Sequence, residues 1–225
     1  MKLSQLIRRA DGWSDHAVAK ISAANTDVVE LRRSLRLEGN PIADSHLRDV
    51  RFTTSARGAA IKISRGLADL SIGQSRHQRA LIANDILGLV CGMLAVFDWR
   101  RIEVRFEVAA AQSCPKFHCD NVLVRMLTTY VGPGTEYIQR DRPDTIHQAS
   151  AGSLVFFKGF RHPTHANTVL HRSPPVRQGE RRLTVVIDQA GWQSLDMPHS
   201  NSPMQTSEIA IQRPPLGKPS TDNAS

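Results

Sequence analysis

Cysteine, long apolar runs and blocks of like charge are all scarce in this chain, and each scarcity excludes a class of protein. Only three cysteines occur in 225 residues, Cys91, Cys114 and Cys119. An odd number cannot pair fully within one chain, which argues against a secreted disulfide scaffold. Cys114 and Cys119 could bridge or bind a metal together, but a reduced thiol is the commoner state in the cytosol. The longest apolar run, Ile86 to Phe97, falls short of the about 20 residues a bilayer span needs, so it reads as a buried helix. The first ten residues, MKLSQLIRRA, lack an apolar core and a small-residue cleavage site. No signal peptide is expected, and the protein is expected to be soluble and cytoplasmic, with no membrane partner.

The net charge is +8, with a sequence pI near 10.0. A basic surface supplies affinity for phosphates, so a nucleic-acid partner is an open reading. It is the secondary one, because Arg8-Arg9, Arg32-Arg33, Arg100-Arg101 and Arg181-Arg182 lie far apart and no Lys/Arg block of five occurs. No Ser-His-Asp arrangement, paired-carboxylate motif or internal repeat stands out either.

What remains is ordinary globular composition, 40% hydrophobic and 22% charged, at a length that suits one domain with short extensions. Residues 1–75 carry a weak, mixed pattern, with a possible strand at Val28 to Leu31 and short helical pieces around Ala43 to Val50. From Arg79 to Trp99 the spacing of Leu81, Ile82, Ile86, Leu89, Val90, Met93, Leu94 and Phe97 predicts a helix apolar around much of its circumference. Such a helix should pack against a sheet. After it the period changes: RIEVRFEV, from Arg101 to Val108, alternates apolar and charged residues as a half-buried strand does. Strand-like runs follow at Val122 to Val131, Ser153 to Phe157 and Arg182 to Asp188. They are separated by turn chemistry such as Gly132-Pro133-Gly134 and Ser173-Pro174-Pro175.

Several strands in series without intervening helices argue for a sandwich or jelly roll. The expected architecture is mainly β with flanking helices (α+β), a double-stranded β-helix. Residues 1–100 form a mixed N-terminal region whose packing helix lies near 79–99, residues 101–195 a metal-binding core, and residues 196–225 a tail expected to be disordered from its proline, serine and asparagine content.

The chemistry concentrates at His118-Cys119-Asp120. Side chains at i and i+2 of a strand share a face, so His118 and Asp120 can bind one ion while Cys119 points away. A second histidine from a neighbouring strand would complete a triad of two imidazoles and one carboxylate, the ligand set of non-haem iron(II) oxygenases. His171 is the candidate, with His162 and His165 as alternatives; these two and His147 otherwise read as loop histidines.

The segment after His171, with Pro175-Val176, Gly179 and Arg181, resembles the distal half of the signature of prolyl-hydroxylase-like 2-oxoglutarate oxygenases. Arg125 to Tyr130 resembles the second core strand of that family, and Gly152 to Phe157 the strand that precedes the distal histidine. This resemblance spans roughly residues 101–190. It implies catalysis at a metal held by His118, Asp120 and His171, with Fe(II) and 2-oxoglutarate as cofactors and a small-molecule co-substrate as partner. Alternation with Leu183, Val185 and Ile187 places Arg181 on an inward face, where it would grip the distal carboxylate of 2-oxoglutarate, with Arg182 ranked second. Tyr130 would hydrogen-bond the co-substrate, or equally sit buried with its hydroxyl bonded to the backbone. Arg125 reads as structural or at the pocket rim, and Thr135 and Glu136 as turn caps or substrate contacts. In two respects the chain departs from the signature: the tryptophan expected after the basic residue is absent, and the interval from Phe157 to His171 is long.

The whole sequence also resembles a bacterial domain-of-unknown-function family, number 1826, through Cys114 to His118, Tyr130 to Glu136 and His171 to Pro174. That family brings no reaction with it. A zinc-binding jelly-roll protein of metal handling, with Zn in the triad, is the alternative function. No motif names the primary substrate.

Overall fold

The computed structural model describes residues 7–191, apart from 36, 38 and 44. In chain order the elements are α1 (Asp15–Ala19), a 3-10 turn, β1 (Val28–Leu31), β2 (Asp49–Thr54), α2 (Ala59–Asp69) and α3 (Arg76–Val96). Seven strands follow: β3 (Ile102–Ala109), β4 (Val124–Val131), β5 (Glu136–Gln139), β6 (Arg142–Gln148), β7 (Leu154–Lys158), β8 (Val169–Arg172) and β9 (Arg182–Gln189). The protein is thus mostly β with a few helices.

A six-stranded sheet runs in the order β1-β7-β4-β9-β3-β2, and a three-stranded sheet in the order β6-β5-β8. All neighbouring strands are antiparallel. The N-terminal region supplies β1 and β2, one at each edge of the large sheet.

The strongly patterned stretches fold as their period dictates. In β3, Ile102, Val104, Phe106 and Val108 are buried while the intervening residues are partly exposed. α3 starts at Arg76, three residues before the expected Arg79, because the Ser75 side chain accepts a hydrogen bond from the Gln78 N–H and so caps the helix. It ends at Val96, short of Trp99. The expected helical piece around Ala43 to Val50 is corrected: Pro41–Ala43 form a turn and β2 begins at Asp49. The β pairing is decided by a distant partner, with Phe52 opposite Val104. α2 lies within the weakly patterned N-terminal region, where Ala59, Ile63 and Leu67 recur every four residues and all are buried. At Gly66 a Cβ would stand 2.8 Å from the Phe106 ring, so the helix lies hard against the sheet. The proposed tail at 196–225 lies outside the described residues.

The two faces of the large sheet differ, and this difference positions the site. One face carries Phe106, Met126, Tyr130, Phe156, Leu183, Val185 and Ile187 into the main core, packed with Ile63, Leu67, Ile86 and Leu89 of the two helices. The other face looks toward the small sheet, and there Val155, Phe157 and Leu127 cluster with Tyr137 and Val169.

Among the described residues, α3 is the one helix long and apolar enough to cross a membrane, and half of its apolar window is buried within the protein. It also carries Asp85, which receives two hydrogen bonds from Arg33, at 2.5 and 2.9 Å, and one from the Tyr130 hydroxyl at 2.5 Å. Arg33 donates to the Gly152 carbonyl as well. A charge-assisted cluster therefore ties the N-terminal segment, α3 and β4 together. Burial, followed by the neighbouring Asp85 carboxylate, raises the Tyr130 pKa well above its ordinary value. Replacing Tyr130 with Phe is expected to lower stability by about 1.5–3 kcal/mol, the range for a hydrogen bond to a charged group. Denaturant unfolding measures this, and metal affinity should not change.

Candidate metal centre

Backbone pairing brings the two histidines together. His118 and His171 form an isolated antiparallel bridge, with the His118 N–H donating to the His171 carbonyl at 3.0 Å and the His171 N–H to the His118 carbonyl at 2.9 Å. His171 lies on β8, so the segment around His118 acts as one more rung beside the small sheet. Asp120 follows two residues later on the same side. Its segment is held where Gly159 approaches so closely that a Cβ there would meet the Val122 carbonyl oxygen at 2.1 Å. The Phe160 N–H also donates to the Asp120 carbonyl.

The result is a compact donor set. One ligand atom from each of His118, Asp120 and His171 lies within 4.8 Å of the others. His171 Nε2 is 2.9 Å from Asp120 Oδ2, and His118 Nε2 is 3.6 Å from Asp120 Oδ1. Ligands at right angles on an ion at about 2.1 Å stand about 3 Å apart, so this spacing suits a shared cation. His118 Nδ1 lies 3.0 Å from the Lys116 carbonyl. A carbonyl only accepts, so Nδ1 donates there, which leaves Nε2 as the nitrogen facing Asp120. His171 stacks face to face on Phe157, with centroids 4.3 Å apart and planes 18° from parallel.

Asp120 Oδ2 is the diagnostic atom. It is buried and has no hydrogen-bond partner, although His171 Nε2 is only 2.9 Å away. Two groups that close without an aligned hydrogen bond are better explained by a common cation than by each other. Burial alone would raise the Asp120 pKa, but His118, His171 and the Arg125 guanidinium together hold it far below the usual carboxylate range. The Asp120 contact raises the His118 pKa against the opposing effect of burial, while burial lowers that of His171.

A cavity of about 210 Å³ adjoins the triad, with His118, His171, Arg125, Thr135, Leu127 and Arg182 on its walls. That is below the about 300–1,000 Å³ of sites for drug-sized ligands, which suits a small molecule. Arg182 is 3% exposed. Its guanidinium donates to the Pro133 carbonyl at 2.8 Å and to the Thr129 and Thr135 hydroxyls at 3.3 and 3.2 Å. All three acceptors are uncharged, and burial lowers its pKa to about 10 despite the more distant Glu107. Two residues along the same face of β9, the Thr184 hydroxyl is fully buried and unpartnered.

Other candidates lie elsewhere. Arg181 turns the opposite way from expectation: its Nη1 donates to the Ser45 and Ile42 carbonyls at 2.7 and 3.3 Å. It lines a separate open groove of about 1,020 Å³ that contains no member of the triad. The reason is the two-faced sheet. Leu183, Val185 and Ile187 pack on the helices, so the polar alternates Arg182, Thr184 and Asp188 look toward the metal centre. Tyr130 belongs to the helix face and contacts Asp85 instead of the cavity. Cys119 faces away as strand geometry requires, with its sulfur near the Lys158 carbonyl and His165 Nε2, and burial raises its pKa to about 11. Cys114 is exposed, its sulfur 3.7 Å from His118 Nδ1, the nitrogen not aimed at the triad. His162 accepts a hydrogen bond from Thr164, and Glu136 pairs with Arg172. Arg125 is closer to the centre than expected: its Nη1 donates to Asp120 Oδ1, while Nε and Nη2 grip Asp188 at 2.6–3.2 Å.

The family model described as a protein of unknown function (DUF1826) matches residues 15–188. A search of curated proteins gives no match. Among solved structures, the rice dioxygenase for auxin oxidation is similar at 15% identity and a TM-score of 0.41, over 66% of this chain and 60% of that one. The chain thus spans three-fifths of the length of the rice protein. The Arabidopsis thaliana auxin-oxidation dioxygenase 1, in complex with 2-oxoglutarate, is similar at 15% identity over 87% of this chain and 77% of that one, with a TM-score of 0.41. A Pseudomonas putida prolyl-4-hydroxylase is similar at 16% identity over 77% of this chain and 96% of that one, with a TM-score of 0.38.

Proposed function

Since the chain belongs to the DUF1826 family, whose function is unknown, we propose from its site chemistry that it is an iron(II)- and 2-oxoglutarate-dependent oxygenase acting on an unidentified substrate in the cytoplasm. The observation that carries this reading is the convergence of two imidazoles on a buried carboxylate, one oxygen of which makes no aligned hydrogen bond. Three protein ligands leave coordination positions open, as an oxygenase needs. The sheet order supports a double-stranded β-helix as the frame, because β9 lies between β3 and β4, β7 lies beyond β4, and β8 and β5 pair in the opposing sheet.

In this reading His118 Nε2, Asp120 Oδ2 and His171 Nε2 hold the metal. Arg182 and Thr184 bind the distal carboxylate of 2-oxoglutarate: the guanidinium supplies the charge, and the otherwise unpartnered hydroxyl gains an acceptor. Leu127 and Val186 give the cavity dry walls between these poles. Bound iron(II) would supply the redox chemistry by which 2-oxoglutarate and oxygen become succinate and carbon dioxide while a substrate C–H becomes C–OH. Hydroxylation of an N-methyl carbon would give an N-hydroxymethyl group, whose C–N bond breaks to release formaldehyde as the hydroxyl proton passes to nitrogen, so hydroxylation and demethylation both fit.

Zinc handling is not favoured, since Cys119 is turned away and Cys114 approaches the wrong nitrogen of His118. The test is to load anaerobically purified protein with iron(II), add 2-oxoglutarate and oxygen, and follow succinate. Slow formation without any primary substrate is expected. Tight zinc retention, refusal of iron and no succinate across a substrate panel would overturn the reading.

A further inference from the structure

Arg125 is not needed to contact a metal or a co-substrate, yet it is the most heavily engaged cation at the site. Its Nη1 donates to Asp120 Oδ1 at 2.5 Å, and its Nε and Nη2 make a two-pronged contact with Asp188, the shortest at 2.6 Å. All three side chains are largely buried, Arg125 and Asp120 each 12% exposed and Asp188 8%. The strand register fixes the grouping, since Arg125 on β4 stands directly opposite Asp188 on β9. One planar guanidinium therefore joins two carboxylates from separate segments, a geometry that lysine cannot reproduce.

The consequence lies in how the two oxygens of Asp120 are divided. Oδ1 is taken by Arg125, while Oδ2 faces His171 without a hydrogen bond. From this division we infer that Arg125, anchored by Asp188, is a positioning residue that reserves Oδ1 and leaves Oδ2 as the single ligating oxygen of Asp120. A carboxylate free to bind through both oxygens would fill a second coordination position, one of those the co-substrate requires. Arg125 also offsets one of two neighbouring buried carboxylate charges, so that Asp120 need not compete with Asp188 for the ion. This inference rests on the metal site proposed above and adds to it the device that keeps that site open.

The experiment uses the full chain with cobalt(II) as a spectroscopic stand-in for iron(II). It compares the unaltered protein, Arg125→Lys, Asp188→Asn and Asp120→Ala, and the double variant Arg125→Lys/Asp120→Ala. The readouts are cobalt affinity, the visible cobalt spectrum and thermal unfolding of the metal-free protein. Arg125→Lys and Asp188→Asn should each weaken cobalt binding by roughly 10- to 100-fold, the range for outer partners of metal ligands, and should alter the spectrum. In the Asp120→Ala background, Arg125→Lys should have no further effect on cobalt affinity, because the carboxylate it positions is gone. A purely structural role would lower thermal stability and act equally in both backgrounds. The inference is overturned if Arg125→Lys binds cobalt with unaltered affinity and spectrum, or if its effect persists undiminished without Asp120. The underlying site fails separately, if the unaltered protein binds no cobalt or if Asp120→Ala binds it equally well.

Discussion

Asp120→Ala is expected to weaken metal binding well beyond the roughly 100-fold that outer partners of a ligand command, leaving only the weak affinity of the two imidazoles. Succinate formation from 2-oxoglutarate should fall to background with it. Asp120 is the charged member of the triad, and the two imidazoles that remain are neutral donors whose hold on a divalent ion is far weaker. The fold should survive, because Arg125 keeps its two-pronged partner Asp188 when Asp120 is removed. Titration calorimetry with cobalt or manganese measures the affinity, and unfolding of the metal-free variant controls for structure. If the variant binds metal as tightly as the parent, the centre lies elsewhere.

Arg182→Met is expected to weaken 2-oxoglutarate binding to the metal-loaded protein by about 1.5–3 kcal/mol, the contribution of a hydrogen bond to a charged group. That corresponds to about tenfold to more than a hundredfold in affinity. Arg182 is the buried cation on the cavity wall whose hydrogen-bond acceptors are all uncharged, so an incoming carboxylate meets a site short of negative charge. Metal content should not change, since Arg182 holds no member of the triad. Arg181→Ala is the control and should leave co-substrate affinity within about twofold, a difference of under 0.5 kcal/mol, because that side chain binds the Ile42 and Ser45 carbonyls instead. The opposite pattern, with loss at Arg181 and none at Arg182, would reverse the assignment.

Much of the fold was legible in the sequence because local periodicity is a direct imprint of burial. β1, β3, β4, β7 and β9 lie within two residues of where apolar spacing placed them, and α3 appears where its apolar residues crowd. In β5 and β8 only four residues each carry the pattern, too few to show a period. β6 is exposed along its whole length, so no alternation marks it, and β2 is recognisable only through its pairing with β3. The candidate ligands were visible for a similar reason, since the two-residue spacing of His118 and Asp120 already implies a shared face.

Which face of β9 is the chemical one was not legible. Alternation along Leu183, Val185 and Ile187 shows that one side is apolar but not what covers it. That side meets α2 and α3, so Arg182, Thr184 and Asp188 turn toward the metal centre while Arg181 is carried away. Spacing within a strand thus determined who shares a face. Only the packing of helices against one side of the sheet, and the bridge that draws His118 beside His171, decided which face encloses the site. Those are contacts between residues far apart in the chain, and no local pattern records them.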